Sequence, residues 1–445
     1  MTGGANMQNR DIKWIVKAIK KIMGDEAYSN IVVNQMITEA GLDAQDARML
    51  RKVVYGVIEN WMLLEYTLSH YAKKRMKPEV KYLLMAALYE LLYLDGRKDH
   101  AVVNRYVGAA KKQYSFASGF INAVLRNALR EPVELPEAPV AHALSIRYSH
   151  PEWLVRRWIE NFGEEETRKL LEADLSQKPL TLRVDTLKES TSSVIEKLRK
   201  HGVDCMRHEY VEHAIIVKSL GNNRLEQLQC FVDGTVFVQD VSSMLVGMAA
   251  SVEKGMRVLD LCSAPGGKST DIASRLQGTG EVVACDIHPH KLELVKENKD
   301  RLKLDNMTLR VQDALKLRQE DVGSYDVVLL DAPCSGMGII GRKPEIKLRK
   351  SIEDIEGLVE VQAQMLKVAS QYVKSGGILL YSTCTIEREE NEDQIERFLQ
   401  DNHGFEIENL GVDFSFACEP TDSFVSLRQS SGWSDGFFIA KLKKN

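Results

Sequence analysis

From about Val241 onward, short apolar runs alternate with segments of helical periodicity: VLDLC (258–262), EVVACD (281–286), MTLRVQD (307–313), YDVVLLD (325–331) and GGILLYS (376–382). Runs this apolar suit strands covered on both faces, and a helix between successive strands implies a crossover each time. That order demands a mostly parallel, doubly wound α/β sheet, closed by an Asp435-Gly436 turn into a last strand, FFIAKL. Ligands of such sheets gather beyond the carboxyl ends of the strands, so the residues that end each run are the first to inspect.

The first 130 residues obey a different period. Between Asp46 and Leu64 the apolar residues Ala47, Leu50, Val53, Val54, Val57, Ile58, Trp61 and Leu64 recur at helical spacing and form one core face. Similar patterns over 11–23, 79–94, 99–113 and 118–130 predict an all-α bundle for residues 1–130. Pro132, Pro136 and Pro139 then interrupt the acidic stretch EPVELPEAPVAHA, and their fixed φ and missing amide donors make 131–147 an extended linker. A helix at 148–175, a second at 191–201 and strand-like runs at 180–187, 214–220 and 234–240 predict a small α+β domain over 148–240. The α/β sheet takes 241–445, and three domains suit a chain too long for one core.

Net charge is only −4, but residues 1–140 hold 20 basic against 15 acidic side chains and the remainder 39 against 48. A basic front suits a polyanionic partner, although a solvated helical surface produces the same imbalance. No apolar run approaches the roughly 18 residues of a membrane span, so no membrane anchor is expected. The opening MTGGANMQNR lacks the apolar stretch of a secretory signal, which points to the cytoplasm. The seven cysteines, at 205, 230, 262, 285, 334, 384 and 418, form no close pair and read as free thiols of a reducing compartment.

The first strand of the sheet runs into DLCSAPGGKS (260–269), a small-residue loop whose glycines let backbone approach a ligand at a helix start. Asp286 ends the second strand, where an acidic side chain accepts ribose hydroxyls, and Asp313 ends the third. Three strand ends together indicate a nucleotide site. It is not a dinucleotide fingerprint, because APGGKS lacks G-x-G-x-x-G, and Cys262 stands where a P-loop would need its first glycine.

DAPCSG (331–336) follows the fourth strand and YSTCT (381–385) the fifth, so Asp331, Cys334 and Cys384 face one crevice. A lone cysteine is usually a small buried hydrophobe, a reading that suits Cys205, Cys230, Cys285 and Cys418. A pair beside a nucleotide pocket fits a particular chemistry. Carbon 5 of cytosine lacks a lone pair in an electron-poor ring. A thiolate adding to carbon 6 makes it nucleophilic, while a carboxyl group at nitrogen 3 relieves the developing charge. The carbon 5 proton must then leave before the thiol is eliminated, a step a second cysteine can assist.

These three boxes together resemble the RNA 5-methylcytosine methyltransferase superfamily. The resemblance implies a Rossmann-like domain using S-adenosyl-L-methionine, with Cys384 as nucleophile, Asp331 on the target base and Cys334 assisting release. It also implies a cofactor site at Cys262, Ser263, Ala264, Pro265, Gly266, Gly267, Lys268, Asp286, Asp313 and Asp331. DNA cytosine methyltransferases carry their nucleophile after the fourth strand, so the STCT cysteine separates the two groups. AVVNRYVGAAKK, FINAVLRNALR, YSHPEWLVRRW and FVQDVSS extend the likeness to nearly the whole chain. They resemble the bacterial RsmB (Sun, Fmu) family, whose helical N-terminal domain is similar to the antitermination factor NusB. The resemblance implies as substrate a loop cytosine of 16S ribosomal RNA, presented free of ribosomal proteins or early in assembly. Family members usually follow the Cys334 box with Arg-Arg-x-Pro-Asp-Ile-Lys-Trp, whereas this chain has Gly341-Arg342-Lys343-Pro344-Glu345-Ile346-Lys347-Leu348.

Lys73, Lys74, Arg75 and Lys77 form the densest basic run, with Lys111, Lys112, Tyr71, Tyr106 and Tyr114 nearby. Singly each run is a solvated helix face; with base chemistry, they and Arg342 and Lys343 become candidate RNA contacts. His288 and His290 lack thiol partners, so no metal is expected. A monomer is expected. The reading from another class, a non-catalytic RNA-binding or antitermination-type scaffold with a relic methyltransferase domain, must explain why both cysteines and the whole cofactor loop are present.

Overall fold

The structure, a computed structural model, describes residues 10–445 apart from 26, 74, 95, 97, 177, 413, 415, 417, 418 and 421–423; at 10, 44, 419 and 420 it describes the backbone. Lys74 and Cys418 thus lie outside the described residues. Among those described, no helix is long and apolar enough to cross a membrane. The chain forms two compact units, one of residues 1–176 with 340–349 and one of 177–339 with 350–445.

The first unit is helical: α1 (Arg10–Gly24), α2 (Ser29–Ala40), α3 (Ala44–Glu59), α4 (Trp61–Tyr71), α5 (Pro78–Leu92), α6 (Asp99–Gln113) and α7 (Ser118–Arg130), then α8 (Val140–Tyr148) and α9 (Glu152–Leu175). The face expected as one helix over 46–64 is divided at Asn60, whose side-chain amide donates to Gly56 O (2.9 Å) and closes α3, while Trp61 and Leu64 carry the face on into α4. The α2 helix went unpredicted because only Val32, Val33 and Met36 among its apolar residues enter the core. The extended stretch is shorter than the prolines suggested. It ends at Pro139, which precedes the first turn of α8, where a missing N–H costs nothing. The segment expected as one helix over 148–175 contains Gly163 at φ 80°, ψ 163°, a left-handed break.

By compactness α9 groups with the helical unit rather than with residues 177–240. A buried polar cluster holds it there. His150 meets Asp174 (3.3 Å), and the fully buried Lys347 ammonium donates to Glu59 O (2.9 Å) and lies within the electrostatic reach of Asp174. Glu345 Oε1 accepts from Ser29 N (2.9 Å), and Arg349 donates to Ala27 O (2.8 Å) and Ile22 O. The ten residues 340–349, ending in the short α15 (Ile346–Arg349), are therefore a piece of the helical unit supplied from within the α/β sequence.

The second unit holds two sheets. The smaller is antiparallel in the order β2-β3-β1-β4, from β1 (Leu180–Val184), β2 (Asp204–Arg207), β3 (Ala214–Ser219) and β4 (Val236–Val238), with α10 (Thr191–Lys200) against it and the short α11 (Gln229–Val232) before β4. After α12 (Val241–Ala249) come β5 (Arg257–Asp260), α13 (Gly267–Arg275), β6 (Glu281–Asp286), α14 (Pro289–Leu302), β7 (Met307–Val311), β8 (Tyr325–Asp331), α16 (Ile352–Tyr372), β9 (Val373–Thr383) and α17 (Glu392–Asp401). Strands β7-β6-β5-β8-β9 are parallel; β13 (Phe437–Lys444) adds antiparallel to β9, followed by β12 (Phe424–Leu427) and β11 (Glu419–Pro420), with β10 (Phe405–Ile407) also on β13. Central strands such as β8 are buried on both faces, as a parallel sheet between helical layers requires.

Candidate active site

The parallel register sets the carboxyl ends of β5, β6, β8 and β9 side by side. Asp260 pairs with Ala284 and Leu329, and Asp331 lies across from Ser382. The loop after β5 turns back through Ser263 N to Cys285 O (2.8 Å) and Gly266 N to Ser263 O (2.7 Å), and Asn298 of α14 holds Pro265 O (3.1 Å). Gly266 sits at φ +100°, and a Cβ there would stand 3.1 Å from Val295 Cγ1, so the loop needs glycine for its backbone and for its fit on α14. Two buried polar atoms here lack protein partners, Asp260 Oδ1 and Ser263 Oγ. Unpaired acceptors on a strand end and a glycine loop suit a polar, cationic nucleoside ligand, so the residues fit S-adenosylmethionine. Burial lifts the Asp260 carboxyl to about 7, against the Ser269 hydroxyl that donates to it. Asp286, buried at the end of β6, accepts from His288 N (2.9 Å), and Asp313 lies two residues beyond β7 and accepts from Leu315 N (3.0 Å).

Asp331 is held from both sides: Lys268 Nζ donates to Oδ2 (2.6 Å) and Ser382 Oγ to Oδ1 (2.8 Å). Burial works against the charge of Lys268, but Asp331 more than offsets it and raises the ammonium above its ordinary value. Cys334 Sγ and Cys384 Sγ approach to 3.2 Å. The hydrogen bond to Cys384, then burial, then nearby negative charge including Glu390 hold the Cys334 thiol well above the ordinary range. The two thiols thus share one hydrogen bond, in which either sulfur can be the donor. Cys205, Cys230 and Cys285 are buried, and burial pushes Cys285 up to about 12. The rings of His288 and His290 lie tilted to each other with centroids 5.5 Å apart, and no cluster of three metal-ligating side chains occurs among the described residues.

One positioning residue had no signal beyond an arginine in an apolar strand. Arg183 of β1, almost fully buried, donates to Gly267 O (2.7 Å), Thr270 Oγ1 (3.2 Å) and Gln239 Oε1, bracing the first turn of α13 from the smaller sheet. Asp260 was legible as a strand end but carried no assignment of its own.

In the helical unit Lys73, Arg75 and Lys77 are exposed on the segment between α4 and α5. Of the tyrosines, Tyr106 is wholly buried and bonded to Glu90, and Tyr71 donates to Glu131 O. The aromatic beside the basic run is instead Phe116, 68% exposed, with Lys77 Nζ 4.8 Å from its ring centre. Lys343 lies 5.5 Å over Tyr28, and Arg342 has interactions of its own.

Comparison with known proteins divides the chain into three matched stretches. Residues 248–443 match the family of the 16S rRNA methyltransferase RsmB/F, residues 10–130 the NusB family and residues 150–222 the ferredoxin-like domain of RsmF/B-like methyltransferases. A probable ribosomal RNA small subunit methyltransferase B of Bacillus subtilis (strain 168) is 35% identical, covering 98% of both chains. That of Pasteurella multocida (strain Pm70) is 34% identical over 92% of this chain and 90% of its own. Among solved structures, PH0851 superposes with a TM-score of 0.85 at 24% identity, covering 98% of this chain and 99% of its own. NSun6 from Pyrococcus horikoshii, solved with SFG, gives 0.59 at 24% identity, covering 66% and 98%.

Proposed function

Since this chain belongs to the RsmB family of small-subunit ribosomal RNA methyltransferases, with their NusB-like front and methyltransferase fold, we propose that it methylates carbon 5 of a loop cytosine in 16S ribosomal RNA through a cysteine adduct. The observation that carries this reading is the pair of sulfurs 3.2 Å apart beside the Lys268–Asp331 pair. Bound S-adenosylmethionine supplies an electrophilic methyl group; Asp260, Ser263, Gly266, Gly267 and Asp286 would hold it, with Asp313 at the base edge.

The protein's own residues do the rest. Cys384 forms a bond to carbon 6, and the electron pair of the ring double bond moves so that carbon 5 becomes nucleophilic. Asp331, steadied by Lys268 and Ser382, orients the nitrogen 3 edge and passes a proton to nitrogen 3, which takes up the negative charge that grows there. After transfer carbon 5 gives up its proton to water acting as base, the electron pair of that bond re-forms the ring double bond, and the bond from Cys384 to carbon 6 breaks with its electrons left on sulfur as a thiolate, an elimination that the neighbouring Cys334 assists. The front unit offers an exposed aromatic among lysines and an arginine, a surface suited to a splayed base and its phosphates. A target base must leave its stack, which suits single-stranded loop RNA in free or partly assembled ribosomal RNA.

The test is a denaturing gel of each cysteine variant with RNA and cofactor. Cys384→Ala should abolish methyl transfer and form no adduct. Cys334→Ala should stay covalently joined to RNA. A stable adduct with Cys384→Ala and none with Cys334→Ala would place the nucleophile after β8 instead.

A further inference from the structure

Behind the cysteine pair lies a buried polar knot that the chemistry above does not use. Glu390, wholly buried just before α17, accepts from Ser335 N (2.8 Å), from Ser335 Oγ and from Gln362 Nε2 (2.8 Å). Gln362, reaching in from α16, gives its other amide proton to Pro333 O (3.0 Å) and accepts from Gln394 (3.3 Å). Ser335 Oγ also meets Thr385 Oγ1 at 2.8 Å. Ser335 follows Cys334 and Thr385 follows Cys384, so the residue after each cysteine is tied, directly or through one hydroxyl, to the same carboxylate. The backbone of the knot is pinned as well, by the Tyr381 hydroxyl on Glu390 O (2.7 Å) and by Asn391 Nδ2 on Thr385 O (3.0 Å).

Three donors converging on a carboxylate sealed from water hold it in one place, because loss of any of them leaves a buried polar group unpaired. We propose that Glu390 is a positioning residue whose carboxylate ties the Cys334 loop to the Cys384 loop and so holds the two sulfurs within hydrogen-bond distance. That the spacing serves cytosine chemistry rests on the function proposed above; the spacing itself does not. The same negative charge adds to the influences that raise the Cys334 thiol.

The test uses the full-length protein with Glu390→Gln, which keeps the shape but offers one oxygen to three donors and turns an amide toward one of them. Its kcat for 5-methylcytosine formation should fall by roughly 10- to 100-fold, the effect of about an ångström of misplacement, with unchanged KM and Kd for S-adenosylmethionine. Capture of the thiol pair by phenylarsine oxide, which needs two close sulfurs and no methyl transfer, should slow by about tenfold or more by the same displacement. Ser335→Ala, which keeps the Ser335 N–H, should show a smaller loss of both. Wild-type kcat and wild-type capture in Glu390→Gln would overturn the proposal, as would losses that track an equal fall in cofactor affinity and Tm in both variants. If wild-type protein makes no 5-methylcytosine while capture still slows in Glu390→Gln, the cytosine reading fails and the positioning role stands.

Discussion

Gly338 provides a sharp probe of how finely the cysteine loops are set. Its N–H donates to Cys384 O (3.1 Å), and its carbonyl accepts from Gly436 N (2.8 Å), at the turn that leads into β13. The two glycines lie back to back: a Cβ on Gly338 would stand 2.1 Å from Gly436 O and 2.8 Å from Gly436 Cα. Both are backbone atoms, so no side chain can swing aside. Restoring ordinary contact requires a shift of roughly 1 Å, taken up by the Cys384 loop or by the β13 turn, and displacement of that size at reacting groups costs about 100-fold in rate. Gly338→Ala should therefore lower kcat by about two orders of magnitude, near 2.7 kcal/mol of activation free energy. Cofactor affinity should hold, because the loop after β5 is not involved. Gly357→Ala is the control: nothing lies within 4 Å of its Cβ, and in the middle of α16 it should stabilise by about 0.5–1 kcal/mol. Labelled methyl transfer to protein-free 16S ribosomal RNA, with calorimetry of the cofactor, measures both quantities. A Gly338→Ala enzyme with kcat within about twofold of wild type would refute the reasoning, since a shift of that size predicts a far larger loss.

Asp286→Ala should weaken S-adenosylmethionine binding by roughly 1.5–3 kcal/mol through loss of a charged acceptor for ribose hydroxyls, and unchanged calorimetric affinity would remove Asp286 from the site. Asp260, held near 7 by burial, must ionise to accept a cationic cofactor group. Affinity should then fall by up to about tenfold per pH unit below 7 and level off above it, and Asp260→Asn should bind more weakly with a flat profile. A wild-type pH slope in Asp260→Asn would assign the titration elsewhere. Neutralising Lys73, Arg75 and Lys77 should lower the salt slope of RNA binding by roughly 2, while Phe116→Ala should cost about 1–3 kcal/mol at every salt concentration. An RNA affinity that none of these changes would put the RNA on another surface.

The helical front and the parallel sheet were legible because each declares itself through a short-range period, and core faces such as Leu50, Val54 and Val57 lie where helical spacing put them. Boundaries were less legible for a reason particular to this chain. The stretch Gly341–Leu348, conspicuous in the sequence only for its departure from the family pattern, carries Glu345 and Lys347, whose partners Ser29, Glu59 and Asp174 lie far away along the chain. No local pattern signals such a pairing. Buried charges of this kind also explain why α9 packs with the helical unit, since a lysine or carboxylate is tolerated in a core only where its partners already stand.

At the site, strand ends were predictable because a parallel sheet delivers every carboxyl end to one edge, so topology places Asp286, Asp331, Cys334 and Cys384 along that edge. Topology cannot rank two cysteines, because both sit in the same crevice with the same side chain. What distinguishes them is the surroundings. Cys334 shares a hydrogen bond with Cys384, is buried and feels Glu390, and all three raise its thiol. Glu390 lies behind the crevice on the approach to α17, and Arg183 comes from another sheet, so neither occupies a strand end of the catalytic sheet. The residues proposed to meet the substrate are fixed by chemistry and topology, and can be read from motifs. Those that hold them are fixed by packing, where many sequences would serve and only the folded chain shows which one does. If that division holds, exchanging Cys334 and Cys384 boxes with those of a relative should preserve activity only when the Ser335, Gln362 and Glu390 set travels with them.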